Sequence, residues 1–403
     1  MNKAYWLKFS VFNFCIVALI GVLMRYKIAY SLPFLDQKFL QHGHSHFAFY
    51  GWITNTIYVL AAIYLNRMNR DISLLKYKWV IAVNMVSSFG MLFTMIYGGY
   101  FWASTSFATT ALLTSFLFAY FFWRDSRTFQ DESKPWFLGG LFFMIISSLG
   151  IFSLGYMAAT KSMTQNIFLA SEYYYLHYQY NGFFIFSCIG FLLHSMKEAG
   201  APIGRERNKS IFWLMFVGCL VGYGLSVLWM KLPDWVFALI VLATVAQTTG
   251  AWLLFDYVRK NWTQLVLKWS PMHRFVLMFS GFAFGVKILL QLGSNIPALN
   301  QFAFGFRNVV IAYLHLVLLM CIASFLLNQI LATQFFRITK PLLTGFKLLL
   351  IGIFLNEVVL GLMGVLSIRY IAVPYANQAL LAISLLMLTA LVVMFINLRL
   401  RRD

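Results

Sequence analysis

Three of the seven histidines lie within five residues of one another, as His42-Gly-His44-Ser-His46, directly before an apolar run that ends near Leu65. Imidazole is a ligand for iron, copper and zinc through either ring nitrogen. A histidine inside a lipid-spanning segment is costly and usually faces a partner or a cofactor. This stretch therefore predicts metal-ligand chemistry at the mouth of a membrane helix.

Two further histidines recur along the chain at nearly equal intervals. His46 and His177 are 131 residues apart, and His177 and His315 are 138 apart. A single buried imidazole is readily explained by a hydrogen bond to a backbone carbonyl, but three at equivalent positions favour a shared role as ligands. His194 and His273 fall at the ends of apolar segments, where we expect solvated imidazoles.

The composition indicates that the chain is a membrane protein. Hydrophobic residues make up 61% of the chain, charged residues only 11%, and the mean hydropathy is +0.76. Soluble domains carry about a quarter charged residues. The chain is therefore expected to be an all-α integral membrane protein without a soluble domain.

Apolar stretches long enough to cross a bilayer recur twelve times. They cover residues 6–24, 46–65, 79–97, 101–123, 136–157, 167–193, 211–229, 235–257, 275–292, 308–330, 347–366 and 377–398. His46, His177 and His315 fall in the second, sixth and tenth stretch, so each lies four helices after the one before it. We expect one membrane domain, 1–403, of three pseudo-symmetric four-helix arcs with repeats near 1–135, 136–274 and 275–403.

The basic residues predict the orientation. With the amino terminus inside, 23 lysines and arginines fall on the inner side and seven on the outer side, while Lys287 lies within a span. By the positive-inside rule, both termini are expected in the cytoplasm, and a bacterial inner membrane is the expected location. The net charge of +19 is therefore a topology signal, and no nucleic-acid partner is expected.

The cysteines exclude several kinds of site. The four cysteines lie in separate apolar segments, and neither CxxC nor CxxCH occurs. Zinc ribbons, thioredoxin chemistry and covalently attached heme are therefore unsupported.

The three recurring imidazoles suit a heme. Two axial imidazoles from facing helices hold a six-coordinate heme iron. Aromatic residues surround His46 and His177, and small residues such as Gly51 and Gly182 would allow a flat ring to approach closely. Heme propionates need cations at the outer boundary; the candidates are Arg25, Arg307 and Arg369.

At these residues the chain resembles subunit I of the heme–copper oxidase superfamily, and in particular its nitric oxide reductase branch. The tenth predicted helix reads Val310-Ile-Ala-Tyr313-Leu-His315-Leu-Val-Leu318. It is similar to the family pattern Val-Val-Ala-His-Phe-His-Tyr-Val-Leu. The resemblance implies twelve helices, a low-spin heme b with His46 and His315 as its axial ligands, and Tyr313 in place of the high-spin heme ligand. Tyr313 could ligate iron as a phenolate or simply pack.

The sixth and seventh helices carry the rest of the resemblance. His177 stands at the position of a non-heme iron or copper ligand, and Asn181 replaces a glutamate of the reductases. Leu225 and Ser226 replace the two other metal histidines. The resemblance thus implies respiratory electron transfer. Because these ligands are replaced, full reduction of oxygen or nitric oxide, and with it enzyme activity, is left open.

Alternatives remain for the second helix. His44-Ser-His46-Phe-Ala-Phe-Tyr-Gly also resembles the tenth-helix pattern of the reductases, in which case His44 binds a second heme or a metal opposite His177. The implied partners are a quinol or electron-donor protein, a small membrane subunit and the lipid bilayer. A different class is the NnrS-type membrane proteins, which handle heme, copper or nitric oxide without catalysis and resemble this chain in size and span number.

Overall fold

The computed structural model describes residues 2–297, 299 and 306–401. The described residues form helices and no strand, apart from one isolated antiparallel bridge between Phe336 and Leu400. The long helices are α1 Lys3–Ala29, α2 Gln37–Met68, α3 Leu75–Gly98, α4 Trp102–Asp125, α5 Lys134–Thr160, α6 165–198, α7 Arg205–Val227, α8 Asp234–Lys260, α9 Pro271–Gly293, α10 Arg307–Ala332, α11 Lys340–Ser367 and α12 Ala376–Asn397.

Eleven of these described helices are long and apolar enough to cross a membrane. The remaining one, α6, is continuous, but its middle carries Gln179 and Asn181 among tyrosines, and it is less apolar. The prediction of an all-helical membrane protein is confirmed. Twelve membrane crossings and the arrangement in three arcs stay predictions.

The second helix begins well before its apolar stretch. We expected its span to begin at residue 46, but α2 starts at Gln37. The Asp36 carboxylate accepts hydrogen bonds from the backbone N–H groups of Lys38 and Phe39, at 2.8 and 2.9 Å, and so caps the first turn. His42, His44 and His46 therefore lie inside the helix rather than at its start, and the predicted start was wrong because hydropathy does not detect a polar first turn.

The helices group into two compact units. One comprises residues 1–127 and 326–403, and the other residues 128–325. In the first unit α1 packs against α12 and α2, α3 pairs with α4, and α11 pairs with α12. In the second unit α5 pairs with α6, α7 with α8, and α9 packs on the middle of α10.

Three helices widen into π-helix near their middles. The π segments are Phe47–Thr54 in α2, Tyr178–Phe184 in α6 and Leu316–Ala323 in α10. In a π-helix the regular hydrogen bonds to the backbone carbonyls are weakened, so side chains of neighbouring helices donate to these carbonyls. In α2, Asn84 of α3 donates to the Tyr50 carbonyl at 3.1 Å, and Asn13 of α1 donates to the Gly51 carbonyl at 2.6 Å.

Candidate functional site

Each recurring histidine is the last residue of an α-helical segment that passes directly into a π-helix. His46 ends a segment of 10 residues, His177 one of 13 and His315 one of 9. Single π turns inside α-helices are often found at functional sites, because they change the direction in which neighbouring side chains point. The equivalence that we predicted from the spacing therefore extends to the backbone around each histidine.

The His46 imidazole is oriented by its own helix. Its Nδ1 lies 3.0 Å from the His42 carbonyl oxygen. A carbonyl can only accept, so Nδ1 carries the proton and Nε2 carries the lone pair. The Tyr100 hydroxyl donates to that Nε2 at 3.2 Å, and the Tyr100 ring meets His42 edge-on at 4.7 Å. Tyr100 lies in the turn before α4, and no sequence signal connected it to this helix.

The His315 imidazole has the same orientation in the second unit. Its Nδ1 lies 2.9 Å from the Ile311 carbonyl oxygen, four residues earlier, and the residue is half-buried. The proton is again on Nδ1 and the lone pair on Nε2. Histidines that bind metals almost always donate their second ring N–H to a carbonyl or carboxylate in this way, which fixes the tautomer and the ring orientation.

His177 differs from the other two. Its Nε2 donates to the Cys219 carbonyl of α7 at 2.8 Å, and its Nδ1 accepts from the Asn181 amide at 3.1 Å. Only 1% of its surface is exposed. The Nδ1 lone pair of His177 is used by Asn181, which is itself buried, and not by an exposed hydroxyl as at His46, so it is not available to a metal in this arrangement. The residues at this position do not fit the metal ion implied by the resemblance.

His44 and His46 contact different elements. A Cβ placed on Gly21 of α1 would lie 3.5 Å from Cε1 of His44, so this imidazole packs against α1. His46 instead contacts Tyr100, on the side of α3 and α4. A heme or metal at His44, opposite His177, stays a prediction.

Tyr313 packs against a neighbouring tyrosine. Its ring meets Tyr180 of α6 nearly edge-on, with the ring centroids 6.2 Å apart. This contact favours the packing role over iron ligation. The small residues near the histidines also serve packing: a Cβ on Gly51 would lie 2.7 Å from the Phe47 ring, and one on Gly182 would lie 2.4 Å from Phe143. The space that we expected to admit a porphyrin at these two glycines is filled by the protein's own phenylalanines.

Two of the three arginines expected near heme propionates, Arg25 and Arg369, have different surroundings. Arg25 is half-buried near the carboxy-terminal end of α1, within electrostatic range of Glu357 of α11. Arg369 is exposed in the turn after α11, where its backbone N–H donates to the Leu366 carbonyl at 3.0 Å. Roles for both toward heme stay predictions.

The two remaining histidines also differ from each other. His194 lies 3.5 Å from Glu198, one turn later on α6. His273 is only 9% exposed and packs edge-on against Trp269 at 4.5 Å. Both ring nitrogens of His194 are buried as well. The prediction of solvated imidazoles was therefore wrong for both residues; at His273 the reason is that the start of α9 folds against the tryptophan that precedes it.

A buried lysine is the main polar feature that the resemblance does not explain. Lys287 of α9 is 1% exposed, and its Nζ has no hydrogen-bond partner among the described residues. The Cys219 and Cys321 thiols lie within electrostatic range of it. An ionisable group inside a membrane segment is costly unless it is paired or has a function. The signal was visible in the sequence as a single lysine in an apolar stretch, but its neighbours were not.

Comparisons with known proteins do not assign the chain to a family. No protein-family model matches the chain, and no curated protein matches it. Within the described ranges, no group of three or more histidine, cysteine, aspartate or glutamate side chains is placed to hold a metal ion. The chain is an all-helical membrane protein in which two histidines, His46 in one unit and His315 in the other, share the same hydrogen bond from Nδ1 to the carbonyl four residues earlier.

Proposed function

We propose that this protein is a membrane b-type heme protein of the inner membrane that takes part in respiratory electron transfer. His46 and His315 are the proposed axial ligands. The observation that carries the proposal is their shared geometry: each donates Nδ1–H to the carbonyl four residues earlier, so that Nε2 carries the lone pair. That both ligate one heme is the expectation of the resemblance.

The donor set at these two histidines fits a heme iron. A neutral imidazole with its proton held on Nδ1 is the form that ligates iron through Nε2. At His46 the heme iron would take the place of the Tyr100 hydroxyl at Nε2. Because Tyr100 is 59% exposed, its hydroxyl can then bond to water at little cost. A heme with two axial imidazoles supplies one-electron transfer without an open coordination position.

The test is the heme content of the purified protein. Expressed with sufficient heme and purified in detergent, the wild type is expected to carry about one heme b per chain. His315→Ala and His46→Ala are each expected to lose most of it, whereas His194→Ala, a matched histidine at a helix end, keeps it. A wild-type protein without heme after such expression would overturn the proposal.

The second candidate is a non-catalytic protein that handles heme, copper or nitric oxide. It is favoured over a nitric oxide reductase by the surroundings of His177, whose two nitrogens are hydrogen-bonded to Cys219 and Asn181. The two further metal ligands of the reductases are replaced by Leu225, which is buried, and Ser226. Anaerobic incubation with nitric oxide and an electron donor separates the two: repeated turnover indicates a reductase, and binding that stops at one equivalent indicates handling.

A further inference from the structure

The segment between α10 and α11 is joined to the carboxy-terminal tail by a short backbone ladder in the first unit. Phe336 pairs with Leu400, Arg337 N–H donates to the Arg399 carbonyl at 2.9 Å, and Arg401 N–H donates to the Phe335 carbonyl at 2.9 Å. Phe336 is 3% exposed and anchors the ladder to the helices. Two segments that are more than 60 residues apart in sequence thereby bring their arginines together.

A cavity of about 340 Å³ lies at this ladder. Its lining residues are Leu331, Gln334, Phe336, Arg337, Ile338 and Arg401. A liquid water occupies ~30 Å³, so the space holds a group of many atoms rather than one solvent molecule. The lining of this cavity thus combines two arginines with four uncharged residues, three of which are apolar.

The two arginines of the cavity have no acidic partner among the described residues. Basic side chains at other helix ends do: Lys76 lies 2.6 Å from Asp125, Lys197 lies 2.8 Å from Asp131, and Arg207 lies 2.7 Å from Asp256. Two arginines without an acidic partner in the described part of the chain, together with apolar side chains, are complementary to an anion that carries a hydrocarbon part.

The position of the cavity identifies the source of that anion. α10 ends at Ala332, α11 begins at Lys340 and α12 ends at Asn397, so three membrane-length helices terminate beside it. The headgroups of the bilayer lie where such helices end, and basic pockets at helix ends on the cytoplasmic side bind anionic headgroups. We propose that Arg337 and Arg401 bind the phosphate of an anionic phospholipid of the inner leaflet, with Leu331 and Ile338 against its acyl chains.

The experiment compares two substituted proteins that lose basic charge at neighbouring positions. The full-length protein, purified and delipidated in detergent, is titrated with phosphatidylglycerol and with phosphatidylcholine, and bound lipid is counted by native mass spectrometry. Arg337→Gln/Arg401→Gln is expected to bind phosphatidylglycerol about five- to thirtyfold more weakly than the wild type. Arg399→Gln, which removes a charge from the same ladder but not from the cavity lining, is expected to bind as the wild type does.

Three outcomes would overturn the proposal: equal binding by the double variant and the wild type, an equal loss in Arg399→Gln, or equal affinity for phosphatidylcholine. A second measurement covers the case in which the double variant does not fold. A photoactivatable phosphatidylglycerol added to the wild-type protein should label the 331–338 segment, and free inorganic phosphate should not compete at millimolar concentration. Labelling spread evenly over the helices, or competition by phosphate, would contradict a lipid site.

Discussion

The hydrogen bonds of His177 predict that this residue stabilises the fold and does not hold a metal. His177→Gln removes an imidazole that donates to the Cys219 carbonyl and accepts from the Asn181 amide, both buried. Glutamine reaches neither partner with the same geometry. A buried group left unpaired costs about 1–3 kcal/mol, so we expect a loss of about 2–5 kcal/mol of stability.

The assay for His177→Gln is thermal unfolding in detergent, with metal content measured in parallel. The control is Tyr178→Phe, which removes one hydrogen bond to the Leu220 carbonyl in the same pair of helices and is expected to cost about 1 kcal/mol. A glutamine variant that unfolds at the wild-type temperature but loses a stoichiometric iron or copper would refute the structural role and restore the metal site.

Three further substitutions test the helix packing by thermal unfolding. Asn84→Leu leaves the Tyr50 carbonyl of the π segment without its donor and should cost about 1–3 kcal/mol; unchanged stability would show that the amide is dispensable. Gly182→Ala brings a Cβ within 2.4 Å of a phenylalanine and should cost about 1–3 kcal/mol, whereas Gly155→Ala, with open space, should be neutral or stabilising; equal effects would contradict the packing. Lys287→Met removes a buried amine without a hydrogen-bond partner among the described residues and should leave stability equal or higher; a clear loss would indicate an unseen anionic partner.

The sequence predicted features that depend on a repeated spacing or on a long apolar stretch. Long apolar stretches predicted the helices, and equal spacing identified His46, His177 and His315 as equivalent. The start of α2 could not be found in the same way, because the cap by Asp36 is a local hydrogen bond and its first turn is polar. Hydropathy detects long apolar stretches, whereas helix ends depend on individual side chains.

The chemistry of the site was less predictable than its position. Which nitrogen of His177 is used depends on a carbonyl of another helix, and no pattern in the sequence contains that contact. Tyr100 reaches His46 from a turn 54 residues later. Gly51 and Gly182 were predicted to allow a cofactor to approach. A glycine in the sequence does not show whether a ligand or a phenylalanine ring occupies the space beside it.

The most direct test of the central claim is the reduced-minus-oxidised optical spectrum of the purified protein. Heme iron ligated by two imidazoles is expected to give a narrow low-spin alpha band of the b type. The account predicts this band in the wild type and in His177→Gln, and its loss or conversion to a high-spin spectrum in His46→Ala and in His315→Ala. A band that survives both alanine substitutions, or that disappears only in the His177 variant, would contradict it.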